Sequence, residues 1–242
     1  MPRTRARIRF QPIVDLENWR LAGFEALARF QDDVSPLIHL DRAHHRGQRT
    51  KLELALAEAA IEEARRFPFP TVITINVSVN AMLSNRLCEL VSARHHRWGL
   101  ELLETSPNVG RVDLRAKVTR MDCLLLVDDA GVSFSDEERI RDLAPDVVKI
   151  DRTVFTAACE NPGAYGRLHD LIAAGREAGS HLLVEGIESP EHLAFARAMR
   201  IDLGQGYFFG KAVAVDDIAA LLASLTAATG LEVPCLASSV GL

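Results

Sequence analysis

Polar and acidic side chains interrupt or end almost every apolar run of this sequence. A single such residue is usually a satisfied core group, because a buried carboxylate is costly unless it is paired or binds a metal ion. A series of them predicts a shared site. Carboxylate and amide oxygens are the ligands that hard divalent cations such as Mg²⁺ and Mn²⁺ prefer. The residues are Glu25, Asn76, Glu101, Glu104, Asp128, Asp129, Lys149, Asp151, Glu185, Glu188 and Gln205.

Within this set, the adjacent carboxylates Asp128 and Asp129 could serve two metal ions, with one residue bridging them. Two metals about 4 Å apart can hold a hydroxide and stabilise the leaving oxygen of a phosphodiester. Lys149 among the acids would orient that hydroxide or offset charge on the phosphate. The set therefore predicts metal-assisted hydrolysis with one or two ions of Mg²⁺ or Mn²⁺.

The apolar runs that carry these residues predict buried β-strands. Several runs are continuous rather than alternating, which is typical of parallel strands covered on both faces. Helical patterns separate them: the expected helices cover residues 51–67 and 165–178, one follows a capping box at Ser135 and Glu138, one begins after Ser189, and one ends near residue 227. The predicted strands are residues 21–27, 72–77, 100–103, 124–127, 147–150 and 182–184.

Strand-helix alternation predicts parallel strands with right-handed crossovers. The leading fold is an α/β closed (β/α)₈ barrel, whose usual length of about 250 residues suits this chain. The rival is an open doubly wound sheet, which the missing Gly-x-Gly-x-x-Gly after the first strand disfavours. In a barrel the strand ends meet at one face, so the polar residues are expected to converge there.

The amino-acid composition of the chain disfavours several classes of function. The 242 residues are 48% apolar, 25% charged and carry a net charge of −5, which disfavours binding to duplex nucleic acid. The four cysteines are far apart and predict free thiols in a reducing cytosol rather than a zinc site. Residues 1–9 lack the apolar stretch of a signal peptide, and no apolar run is long enough to span a bilayer. We expect a domain over residues 1–229, a mobile tail over 230–242 and a cytoplasmic location.

Several other residues have ordinary interpretations. The pairs at positions 44–45 and 95–96 are expected to be surface histidines. The aromatic run Tyr207, Phe208 and Phe209 is expected to lie in the core that closes the barrel, rather than to stack on a base.

At this point the sequence resembles the EAL-domain phosphodiesterases of bacterial cyclic di-GMP signalling. A lone Glu-Ala-Leu carries no weight, but eight motifs in the family's order from about residue 8 to 213 are very specific. They are FQPIVD at 10–15, FEALAR at 24–29, INVS at 75–78, LELLE at 100–104, DDAG at 128–131, VKIDR at 148–152, VEGIE at 184–188 and GQGYFF at 204–209.

The resemblance implies a modified TIM barrel whose first strand is antiparallel to the rest, and hydrolysis of cyclic di-GMP to linear pGpG. It implies a homodimer and a sensor or regulatory partner. By motif it also assigns roles. The implied metal ligands are Glu25, Asn76, Glu101, Asp128 and Asp129; Lys149 and Glu185 act at the catalytic water; Glu104, Glu188 and Gln205 are supporting residues; Gln11, Arg29 and Asp151 contact the ligand.

The main departure is the loop after the paired aspartates. The family reads roughly Asp-Phe-Gly-Thr-Gly-Tyr-Ser-Ser, whereas residues 129–136 read Asp-Ala-Gly-Val-Ser-Phe-Ser-Asp. Two functions therefore stay open: an active phosphodiesterase, and a receptor or interaction module with little or no catalysis. A barrel enzyme of the enolase kind, with Lys149 as a base beside a metal, is a third. Rebuilding the family pattern through Ala130→Phe, Val132→Thr and Ser133→Gly is expected to raise kcat.

Overall fold

The eight strands of this protein form one closed barrel in chain order. The computed structural model describes residues 6–92, 95–102, 111–132 and 136–233, with backbone alone for 111–113. The strand β1 pairs antiparallel with both β2 and β8, and all other neighbours are parallel. The predicted modified barrel with an antiparallel first strand is confirmed. The strands are β1 Ala6–Asp15, β2 Arg20–Phe30, β3 Val72–Val77, β4 Arg97–Leu102, β5 Leu124–Ala130, β6 Val147–Ile150, β7 His181–Val184 and β8 Leu203–Gly204.

Helices of the described residues surround the barrel. The predicted helix over 51–67 is α2, and those over 165–178 and up to 227 are α8 and α10; Ser135 of the predicted capping box lies outside the described residues. The helices are α1 Pro36–His45, α2 Arg49–Ala64, α3 Val79–Met82, α4 Asn85–Val91, α5 Arg111–Arg120, α6 Asp136–Leu143, α7 Arg152–Glu160, α8 Tyr165–Glu177, α9 Pro190–Ala198 and α10 Ile218–Thr229.

The period of two along each strand explains both the core and the site. A small apolar cluster fills the lumen near the amino ends of the strands; it includes Val72, Leu124, Val147, Leu183 and Leu203. Val72, Leu124, Val147 and Leu203 are the first residues of β3, β5, β6 and β8, and alternate residues of a strand share one face. The inward-facing rows of these four strands therefore begin with an apolar side chain at the bottom of the barrel. A larger core packs the outer strand faces against the helices.

The chain after α10 continues along the barrel as far as it is described. Leu231 is fully buried, and Glu232 exchanges backbone hydrogen bonds with the β1–β2 turn, accepting from Leu21 N at 2.9 Å and donating to Trp19 O at 3.0 Å. The domain boundary at residue 229 stays a prediction. None of the helices in the described ranges combines the length and hydropathy needed to cross a membrane.

One histidine prediction is wrong. His44, His45 and His95 are exposed, but His96 is only 7% exposed. Its Nε2 lies 2.8 Å from Ala64 O, and its Nδ1 accepts the Thr71 backbone N–H at 3.3 Å. His96 therefore joins the end of α2 to the start of β3, which is a packing role.

Candidate active site

The inward-facing rows that begin apolar end in polar side chains at the carboxyl ends of the strands. In β5 the row runs Leu124, Leu126, Asp128, and in β6 it runs from Val147 to Lys149. Because parallel strands put their carboxyl ends on one face, these side chains meet in one cavity, where the active sites of such barrels lie. The cavity is lined by Glu25, Asn76, Asp128, Asp129, Lys149, Glu185 and Gln205, together with rim residues.

The ammonium group of Lys149 is the centre of the site. Its side chain is 1% exposed, and Nζ lies 2.7 Å from Glu101 Oε2, 2.9 Å from Asp128 Oδ1 and 3.0 Å from Glu185 Oε1. Glu25 Oε1 is 3.6 Å away. One cation thus faces four carboxylates that come from four strands or strand ends, so the centre carries an excess of acidic groups.

Two amide side chains fix the orientation of Glu25. Asn76 Nδ2 donates to Glu25 Oε1 at 3.0 Å, and Gln205 Nε2 donates to Glu25 Oε2 at 2.9 Å. Both carboxylate oxygens are therefore engaged from opposite sides. Asn76 is the penultimate residue of β3 and Gln205 follows β8, so Glu25 of β2 is held by residues from two other strands.

Burial and crowding disturb proton binding at the centre. Burial raises the pKa of Glu101 well above its usual range, and the charge of Glu25 raises it further. Burial likewise raises the pKa of Glu185 to about 7, although Lys149 opposes this. Burial alone would lower the pKa of Lys149, but Asp128 and the other carboxylates hold it well above its usual range. Additional positive charge would therefore stabilise the ionised site.

The donor set fits divalent cations. Glu101 Oε1 and Gln205 Oε1 are buried, and neither has a hydrogen-bond partner within the described parts of the chain. Oxygens of Asp129, Asp151 and Glu185 lie within 4.8 Å of one another, an arrangement that can hold a metal ion. Carboxylate and amide oxygens are ligands of Mg²⁺ and Mn²⁺. The structure thus presents a possible acidic metal-binding cluster.

Asp151 lies closer to the acidic centre than the sequence indicates. The family resemblance implies a contact with the ligand, but the carboxylate of Asp151 belongs to the same group as those of Asp129 and Glu185. It also caps α7 by accepting from Thr153 N at 2.7 Å. The sequence signal for this placement is that Asp151 directly follows β6.

Asp129 takes a left-handed backbone conformation, with φ of 54°, which costs a non-glycine residue about 1 kcal/mol.

The rim of the cavity holds the expected ligand-contacting residues. Gln11 and Arg29 both line the cavity, whose volume is about 420 Å³. Gln11 Nε2 donates to Gly210 O at 3.3 Å, and Arg29 donates to its neighbouring carbonyl at 2.9 Å. Glu188 lies apart from Lys149 and pairs instead with Arg152 at 2.9 Å. Positive charge and polar groups at a rim suit an anionic ligand.

Some site residues fall elsewhere than expected. Glu104 lies outside the described residues. Phe209 is 1% exposed, as expected of core, but the same expectation is wrong for Tyr207, which is 57% exposed on the cavity rim.

Sequence reasoning also missed Glu53. Its side chain is 2% exposed, lines the cavity and pairs with Arg49 at 2.8 Å. It also accepts the hydroxyl of Ser78, two residues beyond Asn76. Its only sequence signal is an Arg-Glu spacing of four, which is typical of ordinary surface pairs.

The fold and site define the class: a (β/α)₈-type barrel with a reversed first strand and an acidic, lysine-centred site at the carboxyl ends of its strands. The sequence profile of the EAL domain matches residues 3–212. The chain therefore belongs to the EAL domain family.

Relatives with assigned names support this placement. A cyclic di-GMP phosphodiesterase of Pseudomonas aeruginosa is 26% identical over 84% of this chain and 37% of its own length. The oxygen sensor protein DosP of Escherichia coli is 26% identical over 89% of this chain and 29% of its own length. The chain spans about a third of the length of the first curated relatives that it matches.

Solved structures show the same fold. A standalone EAL protein from Vibrio cholerae, in a form with cyclic di-GMP bound, superposes with a TM-score of 0.73 at 20% identity, covering 86% of this chain and 92% of that one. At this identity the likeness is evidence of the fold alone.

Proposed function

We propose that this domain is a Mg²⁺- or Mn²⁺-dependent phosphodiesterase that hydrolyses cyclic di-GMP to linear pGpG. The observation that carries the proposal is the buried set of carboxylates around Lys149 at the carboxyl ends of the strands. The Pseudomonas relative, named as a cyclic di-GMP phosphodiesterase, supports the choice of substrate. When bound, the metal would supply positive charge at the phosphodiester and lower the pKa of a water molecule, so that hydroxide is available to attack the phosphorus near neutral pH.

The chain's own residues would divide the remaining work. Glu25, Asn76, Glu101, Asp128 and Asp129 would hold the metal ions, with Asn76 and Gln205 fixing the orientation of Glu25. Lys149 would offset negative charge as the phosphorus centre gains a fifth oxygen. Glu185, whose pKa burial raises to about 7, could accept a proton from the attacking water near neutral pH.

The cavity rim would place the substrate. Arg29 and Gln11 would contact the ligand's phosphates and bases, and Glu188 would brace Arg152 beside them. Asp151 would either contact the ligand or complete the acidic group with Asp129. We also propose that a sensor or regulatory partner, and a second copy of the domain, control the site, as the family resemblance implies.

The test is incubation of the protein with cyclic di-GMP and Mn²⁺, with pGpG followed by chromatography. Glu25→Ala should abolish turnover, because it removes a proposed metal ligand that two amides orient. The matched control is Glu89→Ala, which changes an exposed glutamate of α4 that pairs only with Arg86 among the described residues. Unchanged turnover in Glu25→Ala would refute the assigned site.

A second candidate function is a cyclic di-GMP receptor or interaction module without catalysis. The observation that favours it is the altered loop after Asp129, where Ala130 is fully buried in place of the family's phenylalanine. Calorimetry with cyclic di-GMP in Ca²⁺ separates the two: tight binding without any pGpG supports the receptor. Absence of both binding and hydrolysis would leave a protein-interaction role or an enolase-like enzyme, neither of which needs affinity for cyclic di-GMP.

A further inference from the structure

The turn that carries Asp129 is unusual in its backbone. Asp129 and Gly131 both take positive φ angles, 54° and 115°. A Cβ on Gly131 would lie 2.3 Å from Val154 Cγ2, so the turn packs directly against α7. Within the described residues, a long hydrogen bond from Val132 N to Asp129 O, at 3.4 Å, closes the turn, and Ala130 O accepts the Asp151 backbone N–H at 3.0 Å. Gly131 adopts a positive φ without strain, but Asp129 does not, so its conformation depends on the contacts around the turn.

Asp136 supports the turn from the far side of the loop. Its side chain is fully buried at the start of α6, and its Oδ2 accepts the Gly131 backbone N–H at 2.7 Å. The same oxygen accepts from Arg167 of α8 at 2.9 Å. A buried carboxylate without a cation would be very unfavourable, so Arg167 fixes where Asp136, and with it Gly131, can lie.

Arg167 contacts the first two of the three acidic residues that begin α6, since it also pairs with Glu137. This arrangement departs from the family pattern, in which the position of Asp136 is a serine. Aspartate at this position, unlike serine, carries a charge, and its ion pair with Arg167 connects the loop to α8. Asp129, two residues before Gly131, contributes an oxygen to the group with Asp151 and Glu185.

We propose that Asp136 and Arg167 are positioning residues, and that this ion pair keeps the Asp129 carboxylate in the metal-binding group although the loop has lost the family's pattern. The inference rests on the proposed metal site. The pair touches neither substrate nor metal: Arg167 orients Asp136, Asp136 holds Gly131 N, and that contact sets the turn that aims Asp129.

The variants are Arg167→Met, Asp136→Leu, which also removes the acceptor of the Gly131 N–H, and the double variant. Arg167→Met alone leaves Asp136 without its cation and is the variant most at risk of misfolding. The double variant leaves no unpaired charge from this pair and protects the test against that outcome. Arg141→Met is the matched control, because Arg141 and Glu177 form an exposed ion pair at 3.0 Å between the same two helices, α6 and α8.

Two readouts are needed: Mn²⁺ binding by electron paramagnetic resonance and calorimetry in the absence of nucleotide, and steady-state kinetics with cyclic di-GMP. In the double variant we expect the weaker Mn²⁺ site to lose affinity about tenfold and kcat to fall about tenfold, with KM within about twofold. Arg167→Lys, which keeps the charge, should recover most of both losses. Arg141→Met should match the wild type in both.

The results separate this inference from the proposed function. Weakened Mn²⁺ binding in the double variant with no hydrolysis by any form would support the positioning role and refute the phosphodiesterase. Normal Mn²⁺ affinity and kcat in the double variant, with an active wild type, would overturn the positioning role alone. An equal loss in Arg141→Met would overturn it as well, because general docking of α6 on α8 would then be responsible. A wild type that binds no Mn²⁺ would overturn both.

Discussion

Replacing Lys149 with methionine tests whether one ammonium group holds the acidic centre together. Each of the contacts at 2.7–3.0 Å would be worth about 6 kcal/mol at an effective dielectric constant of about 20. Desolvation of the buried charges offsets most of that attraction. Removing one partner from a buried ion pair typically costs about 3–5 kcal/mol, because the other charges are left without compensation. We expect Lys149→Met to lower the free energy of unfolding by about 3–5 kcal/mol at pH 7 without metal.

Divalent cations should reverse much of this loss. Mn²⁺ would compensate the same carboxylates, and in the variant it no longer competes with an ammonium group. A ligand that binds only the folded state stabilises it by about 2.7 kcal/mol at a hundredfold excess over Kd. Because the variant should bind the ion more tightly, Mn²⁺ should stabilise Lys149→Met more than the wild type, so that the two free energies of unfolding converge.

The assay is urea unfolding at pH 7, followed by circular dichroism, with either a chelator or saturating Mn²⁺. The control is Lys51→Met, since Lys51 is exposed and has no ion pair among the residues described; its effect should stay within about 0.5 kcal/mol. A Lys149→Met variant as stable as the wild type in chelator would refute the reasoning, and so would an equal Mn²⁺ effect on both proteins.

Three further outcomes are expected. Burial lowers the pKa of His96, so the stability that its neutral ring provides is present above about pH 6.5 and lost as the pH falls; urea unfolding at pH 7.5 and 5.5 should show this slope, and His96→Gln should lack it. Asp146→Asn breaks a bidentate pair with Arg115 at 2.6 and 2.9 Å and should cost about 2 kcal/mol in the same assay at pH 7. Despite burial, Arg115 holds the pKa of Asp146 low, so this difference should vanish in strong acid. Ala130→Phe should lower stability by about 1–3 kcal/mol and lower kcat, whereas Val132→Thr, at a 60% exposed position, should change neither; a rise in kcat in Ala130→Phe would contradict this.

Much of the barrel and its centre could be predicted because the signals are local. In β5 and β6 the inward-facing residues change from apolar to polar along the strand, as Leu124 to Asp128 and Val147 to Lys149 show. The change from apolar to polar residues predicts both the position of the strand and which of its ends lies at the site. Glu185, which directly follows the apolar strand β7, and Gln205, which directly follows β8, both line the same cavity.

What could not be predicted depends on contacts between distant residues. His96 lies in a polar stretch, and nothing local shows that it bonds to a carbonyl 32 positions away. Tyr207 stands in an aromatic run, yet the chain turns there and leaves its ring on the rim while Phe209 packs inside. Asp136 and Arg167 are 31 positions apart and each alone resembles a surface charge.

The loop after Asp129 differs from the family pattern at several positions, yet its residues make close contacts in the structure. Against the family pattern, each substitution in this loop counts as a loss, and on that ground the triple change Ala130→Phe, Val132→Thr and Ser133→Gly is expected to raise kcat. In the structure Ala130 is fully buried. A phenylalanine at this position would have to displace the side chains that pack around it, and overpacking of that kind is destabilising. The small residue at 130 and the charged residue at 136 are therefore consistent with each other: the turn packs closely against its helices and is held by an ion pair. For the proposed phosphodiesterase, we therefore expect turnover to depend on where this turn directs the carboxylate of Asp129, rather than on how closely the loop matches the family pattern.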